Sequence, residues 1–378
     1  VKTGSGTWIL TGQNTYTGGT RIEAGTLQLS GGDDRLANTG NITITGGTLD
    51  LGGNTQNITD SAVVSFQGGV VQNGTINKAG GNYTTDGSFG TATVSAILAG
   101  SAGLQKTGTG TLVLAGNNTY QGPTTVSAGT LEIKTSSALG ASSSGTTVGY
   151  YGMYNWGHLK LTPSTDTVFN EPLTLAGGVL QNHSGNNEWQ GRVTISTSSI
   201  DSTVDVAAGL TLTFSGGMDG NHTLEKTSGG TLVLTTDNSA YTGPIRIKAG
   251  VLEIRHAKAL GASGPGQGTT ITDYYATLKL QNVVGGPIDE PLSLFGYGAA
   301  PSGTYLGALY NSAGDNTWSG PITLNPGSYL TTPYIRVDSG TQLTLSGQLT
   351  GTGGLYKLGD GTLVLAPTAA NTYTGTTT

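Results

Sequence analysis

Two acidic residues, Asp201 and Asp205, have a spacing that chemistry can use. Four positions apart on a β-strand they share one face, and two carboxylates opening into a groove are what glycoside hydrolysis requires. A lyase site also needs a cation, and no Arg or Lys lies near either residue in the sequence. The plainer reading puts Asp201 in a Ser-rich loop and leaves Asp205 facing solvent, while Asp33–Asp34–Arg35 reads as a loop between coils. His158, His183, His222 and His256 lack the i, i+4 pairing of a metal site. A coil of similar length would nevertheless let some of them stack on one face. There is no Gly-x-Ser-x-Gly elbow, no dinucleotide or phosphate loop and no glycine-rich calcium nonapeptide. The expectation is a chain with no catalytic residue, no metal site and no cofactor.

Aromatic residues offer a different chemistry, that of contact. Tyr150, Tyr151, Tyr154 and Trp156 crowd into one short segment, whereas the corresponding place further on holds only Asp273–Tyr274–Tyr275 before Leu278–Lys279–Leu280. The first segment therefore carries an insertion. Insertions in repeat proteins emerge as side loops and often carry binding, and exposed Tyr and Trp anchor interfaces or stack on sugar rings. The alternative is a lid covering one side of the core. Tyr297, Tyr305 and Tyr310, in a Gly/Ala/Pro/Ser-rich stretch, mark a second candidate loop.

The elements that hold these residues follow from composition and repetition. Of 378 residues 65 are glycine and only 10% are charged, against averages of about 7% and 25%. A net charge of −6 and abundant Thr, Val and Ile argue against charge-driven disorder. The glycines keep no three-residue period, which excludes collagen, and no apolar run is long enough for a transmembrane helix. Sixteen basic residues scattered among 22 acidic ones leave no footprint for nucleic acid. Cysteine is absent, so disulfides and thiolate metal sites are excluded.

One pattern occurs four times, beginning at Lys2, Lys106, Lys226 and Lys357, as in Lys106–Thr107–Gly108–Thr109–Gly110–Thr111–Leu112–Val113–Leu114. Each copy runs on into an Asn and Tyr signature: Asn14 and Tyr16, Asn118 and Tyr120, Asn238 and Tyr241, Asn371 and Tyr373. Three copies close on a second short segment, Ala128–Gly129–Thr130–Leu131–Glu132–Ile133 and its equivalents from Ala24 and Ala249. Weaker similarities fill the gaps: Ala138–Leu139–Gly140–Ala141 with Ala259–Leu260–Gly261–Ala262, Glu171–Pro172–Leu173 with Glu290–Pro291–Leu292, and the surroundings of Trp189 with those of Trp318. The modules run over approximately 1–104, 105–224 and 225–355, with a partial fourth over 356–378, in one continuous segment spanning 1–378. Such self-similarity marks a quasi-one-dimensional architecture.

The fine pattern has period two. Leu131–Glu132–Ile133, Leu159–Lys160–Leu161 and Leu278–Lys279–Leu280 each set a charge between two apolar residues, which on a strand sends the apolar pair inward and the charge to water. Glycines before the strands supply tight corners. The expected fold is all-β: a right-handed parallel β-helix forming a single elongated rod of about 15 to 19 coils. The recurring Asn and Tyr pair is read as a turn ladder bonding to the coils above and below, because a specific active site would not repeat in every copy.

The pattern resembles the autotransporter-associated β-strand repeat, also called the passenger-associated transport repeat, whose hallmark is Lys–x–Gly–x–Gly–Thr–Leu–x–Leu, then Asn–x–Tyr–x–Gly–x–Thr, then Ala–Gly–Thr–Leu. The copy from Lys106 to Ile133 fits best. Trp8 replaces a Leu in the first copy, Ser228–Gly229–Gly230 shifts a glycine in the third, and the fourth stops before its Ala–Gly element. The resemblance implies a bacterial surface-exposed or secreted passenger, exported through an outer-membrane barrel translocator in the parent chain and folding as it emerges. Opening at a Lys element and stopping inside the fourth copy, the sequence reads as a slice of a larger chain. The implied function is a rigid adhesive or structural stalk (cell adhesion, self-association or biofilm) whose partners are a host or neighbouring-cell surface, protein or glycan, and a second copy of itself. Two rivals are a polysaccharide-degrading β-helix enzyme and an extracellular filament-building subunit.

Overall fold

The computed structural model describes residues 1–86, 90–150, 155–196, 199–264, 266–327 and 332–378. Every regular element among them is a β-strand, nearly all only three to five residues long, and strands that pair do so in parallel. The chain is a parallel β-solenoid, as the period-two segments predict. It divides into two compact units, Val1–Leu180 and Gln181–Thr378.

In the first unit one sheet carries, in order, Thr7–Leu10, Thr26–Leu29, Thr48–Asp50, Gly69–Gln72, Thr91–Val94, Thr111–Leu114, Gly129–Ile133 and Gly157–Leu161. A second sheet interleaves Thr20–Ile22, Ile42–Ile44, Val64–Phe66, Asn82–Thr85, Gly103–Lys106, Thr124–Val126, Thr146–Gly149 and Leu173–Ala176, and a third holds Thr55–Ile58, Thr75–Lys78 and Ile97–Gly100. Each coil gives one strand to each of two or three sheets and then climbs to the next. Pairing is in register, so like residues stack: Leu112 on Leu131 on Leu159, and Leu114 on Ile133 on Leu161. All six are fully buried, and each such side chain contributes about 1.5–3 kcal/mol. Glu132 and Lys160 face outward opposite one another, 3.3 Å apart.

The second unit repeats the plan. One sheet holds Ser202–Val206, Leu224–Thr227, Ile245–Ile247, Thr269–Ile271, Leu292–Leu294, Ile322–Leu324 and Leu349–Gly351. Another holds Asn187–Trp189, Thr211–Phe214, Thr231–Leu234, Gly250–His256, Ala276–Val284, Leu309–Ala313, Tyr334–Val337 and Tyr356–Leu358. Its inner column includes Leu212, Leu232, Leu252, Leu278, Leu309 and Ile335. The similarity around Trp189 and Trp318 is a corner built twice. Asn187 donates to Asn182 at 2.5 Å and Asn316 to Asn311 at 2.6 Å, all four buried, and a fully buried tryptophan follows each pair.

Two buried carboxyl groups make stability depend on pH. Glu171 and Glu290, the matching glutamates of the Glu–Pro–Leu elements, each accept a hydrogen bond from a buried threonine, Thr146 and Thr269. Burial pushes Glu171 up to about 7 and Glu290 up to about 8. A carboxyl that holds its proton more tightly when folded contributes stability below its unfolded value of 4.5, and that contribution is lost as pH rises through 7 to 8. The lowered carboxylates, Asp50, Glu132, Asp205 and Asp289, act only below their ordinary values of 3.8 to 4.5. Urea midpoints should therefore fall between pH 5 and pH 7, below the range in which buried Lys226 and Lys106, lowered to about 7 and 8, act with the opposite sign, and the fall should shrink in Glu171→Gln and Glu290→Gln. An identical fall in both variants would refute this assignment.

Candidate functional site

The repeat is a device for burying an amine. Lys106 ends the strand Gly103–Lys106 with 1% of its surface exposed. Its Nζ donates to the carbonyls of Thr107 (2.8 Å) and Gly108 (2.7 Å) in its own turn and of Ala128 (2.9 Å) in the next coil. Three acceptors match the three N–H groups of an ammonium. Lys2 repeats the arrangement on Thr3, Gly4 and Ala24, and Lys226 on Thr227, Ser228 and Ala249. Lys357 reaches Leu358 and Gly359. Lys78 uses the same geometry outside the repeat, on Asp60 and Gly80. Burial lowers Lys106 to about 8 and Lys226 to about 7. The glycine after the acceptor alanine is obligatory: Gly129 has φ +65°, and a Cβ there would lie 2.5 Å from the carbonyl oxygens of both Gly108 and Gly110.

Ser228 occupies a position that Gly4, Gly108 and Gly359 hold in the other copies, and it shares their left-handed backbone at φ +61°. Its hydroxyl donates to Asp205, which also accepts from Thr227 at 3.1 Å and meets His183 Nε2 at 2.8 Å. These bonds offset strain that a side chain there incurs.

Asn118 spans three coils, its Oδ1 accepting from Leu98 N at 2.9 Å and its Nδ2 donating to Ala138 O at 2.6 Å. Asn238 does the same between Met218 N and Ala259 O, so the Ala–Leu–Gly–Ala elements supply its acceptors. Asn371 accepts from Leu349 N, and Asn14 donates to Gly12 O and Arg35 O. The hydroxyls of Tyr16, Tyr120 and Tyr373 bond the threonine four residues on. Where Ile245 replaces that threonine, Tyr241 donates to the carbonyls of His222 and Pro244. Tyr120 and Tyr241 are fully buried.

The acidic pair is occupied. Asp201 bonds Arg246 Nη1 at 2.5 Å, a cation brought from another coil, while Asp205 is held by Ser228, Thr227 and His183. His256 accepts from Lys258 N. Among the described residues no three His, Asp or Glu side chains are grouped to hold a metal.

Exposed aromatics gather instead in the second unit. Tyr275, Tyr297 and Tyr305 stack with centroids 5.1 to 6.5 Å apart, and Tyr334 meets Tyr297 (5.3 Å) and Tyr305 (6.4 Å) edge-on. Tyr356 lies 4.7 Å from Tyr334, and Tyr274 lies 5.7 Å from Tyr297 and 4.6 Å from Phe295. The loop bearing Tyr297 and Tyr305 is tied down by buried Thr277, whose Oγ1 accepts from Ala299 N and donates to Gly307 O, both at 2.8 Å. Within the loop, Leu306 N donates to Ala299 O and Gly307 N to Tyr297 O. Tyr310 stands apart, on the strand Leu309–Ala313, between the cations of Lys279 and Arg336 and with its hydroxyl on Asp338. In the first unit Trp156 is 49% exposed and bridges to Tyr150. Tyr151 and Tyr154 lie outside the described residues.

The passenger-associated-transport-repeat family matches residues 1–29, 104–133, 224–254 and 355–378, the four spans that begin with the caged lysines. The adhesin BmaC autotransporter of Brucella suis biovar 1 (strain 1330) is 31% identical over 206 residues, covering 49% of this chain. The chain carries passenger-associated-transport repeats in those four spans and is similar over about half its length to an autotransporter adhesin. It spans 5% of the length of that relative, and no solved structure matches it. A passenger domain is extracellular or at the cell surface. The family spans account for the lysine cages and the Asn and Tyr ties of the chain. Most of the tyrosine platform and Trp156 fall in the coils between those spans. Sequence reading alone did not connect Tyr274, Tyr334 and Tyr356 with Tyr297 and Tyr305. The one available signal was Tyr274–Tyr275 standing before a strand, as Trp156 does.

Proposed function

We propose that this passenger region is an adhesive and structural surface element without catalysis, meeting a host or neighbouring cell through its exposed aromatics. The observation that carries the reading is the tyrosine platform, since contiguous half-exposed rings are the anchors that interfaces use. The adhesin name of the Brucella relative supports it, as does the engagement of Asp201 and Asp205 with other side chains. Self-association belongs to the same reading, with the platform open to a second copy, and export would use an outer-membrane barrel in the parent chain. Beads coated with the chain are expected to adhere to cells, and Tyr297→Ser with Tyr305→Ser should cut adhesion at least about threefold, the loss of roughly one anchor contact. Adhesion equal to that of the unmodified chain would reject the platform.

A further inference from the structure

Each unit contains a notch at the same structural address. In the first, Thr109, Gly129, Thr130, Asn155, Trp156 and His158 line a notch of 240 Å³. In the second, Gly229, Gly250, Val251, Tyr275, Ala299 and Pro301 are among the residues lining a larger groove of 460 Å³. Gly129 and Gly250 are equivalent cage glycines, and Thr109 and Gly229, which follow Gly108 and Ser228, occupy equivalent positions. Strand pairing sets Gly129 opposite Gly157 and Gly250 opposite Ala276. Trp156 and Tyr275 therefore each stand one residue before the partner of the cage glycine. Two unlike loops thus put an aromatic ring beside the same turn, 49% and 54% exposed.

We infer that these two notches are equivalent binding sites for the rings of a neutral saccharide. The inference rests on the adhesive reading and names its ligand class. No charged residue lines either notch among the described residues, so neither presents a partner for phosphate, sulfate or uronate groups. What they present is the face of an aromatic ring, whose negative π-cloud attracts the C–H face of a pyranose. In the first notch Thr130 and Asn155 add polar side chains beside the ring, the composition of a small-molecule site rather than a protein interface core.

Affinity electrophoresis of the 378-residue chain through gels containing dextran, amylose, mannan or galactan tests this, with heparin and hyaluronate as charged controls. At least one neutral polymer should retard the chain. Trp156→Ala and Tyr275→Ala should each weaken retardation about fivefold, a loss of roughly 1 kcal/mol, and the double variant should abolish it. Tyr275→Phe, which keeps the ring, should bind like the unmodified chain. Retardation only by the charged polymers, by none, or equally in the double variant would overturn the inference. If coated beads still adhere to cells in those cases, the saccharide assignment falls alone. If they do not adhere, the adhesive reading falls with it.

Discussion

Lys106→Met is expected to destabilise the coils it joins by about 3–5 kcal/mol, the range for removing one partner from a buried charged contact. Methionine retains the apolar stem but leaves the carbonyls of Thr107, Gly108 and Ala128 without their donor. Stability in a solenoid is a sum of neighbour terms, so the damage should be local. Amide hydrogen exchange should accelerate at least about 100-fold across Thr111–Leu114 and Gly129–Ile133 while Thr48–Asp50 keeps its protection. Lys134→Met provides the contrast. Lys134 pairs with Glu132 at the surface, its side chain 44% exposed, and losing such a pair costs about 0–1 kcal/mol. Similar exchange profiles for the two variants would refute the cage.

Gly129→Ala should be nearly as severe, and it separates strain from collision. The new methyl would strike two carbonyl oxygens at 2.5 Å and Lys106 Nζ at 2.7 Å, on a backbone at φ +65°. Gly53 has a similar φ of +82° with nothing within 4 Å of its added Cβ. Gly53→Ala should therefore cost about 1 kcal/mol from backbone conformation alone, and Gly129→Ala at least about 3 kcal/mol, because backbone atoms cannot step aside. Comparable urea midpoints for the two would show that the turn yields.

The solenoid was legible because its rule is local. A triplet such as Leu131–Glu132–Ile133 declares its inward and outward faces unaided, and in-register stacking then repeats the decision coil after coil. The lysine cages were visible only as a recurring letter. Alternation turns Lys160 outward beside Glu132, but nothing local shows that carbonyls seal Lys106, since its third acceptor arrives with Ala128 from the next coil. The tyrosine platform was hidden for the same reason. Tyr275, Tyr305 and Tyr334 become neighbours through pairing between coils and through the folding back of the loop held by Thr277. Asp201 seemed to lack a cation because Arg246 lies two strands further along its sheet.

The sealed amines also give the chain a built-in reporter. An acylating reagent attacks only an amine it can reach, so Lys106 and Lys226 resist modification once their turns have closed, while Lys134 stays reactive throughout. Mass spectrometry after brief reagent pulses would then time the closure of each turn separately, and show whether the refolding chain winds up from one end or from several places at once.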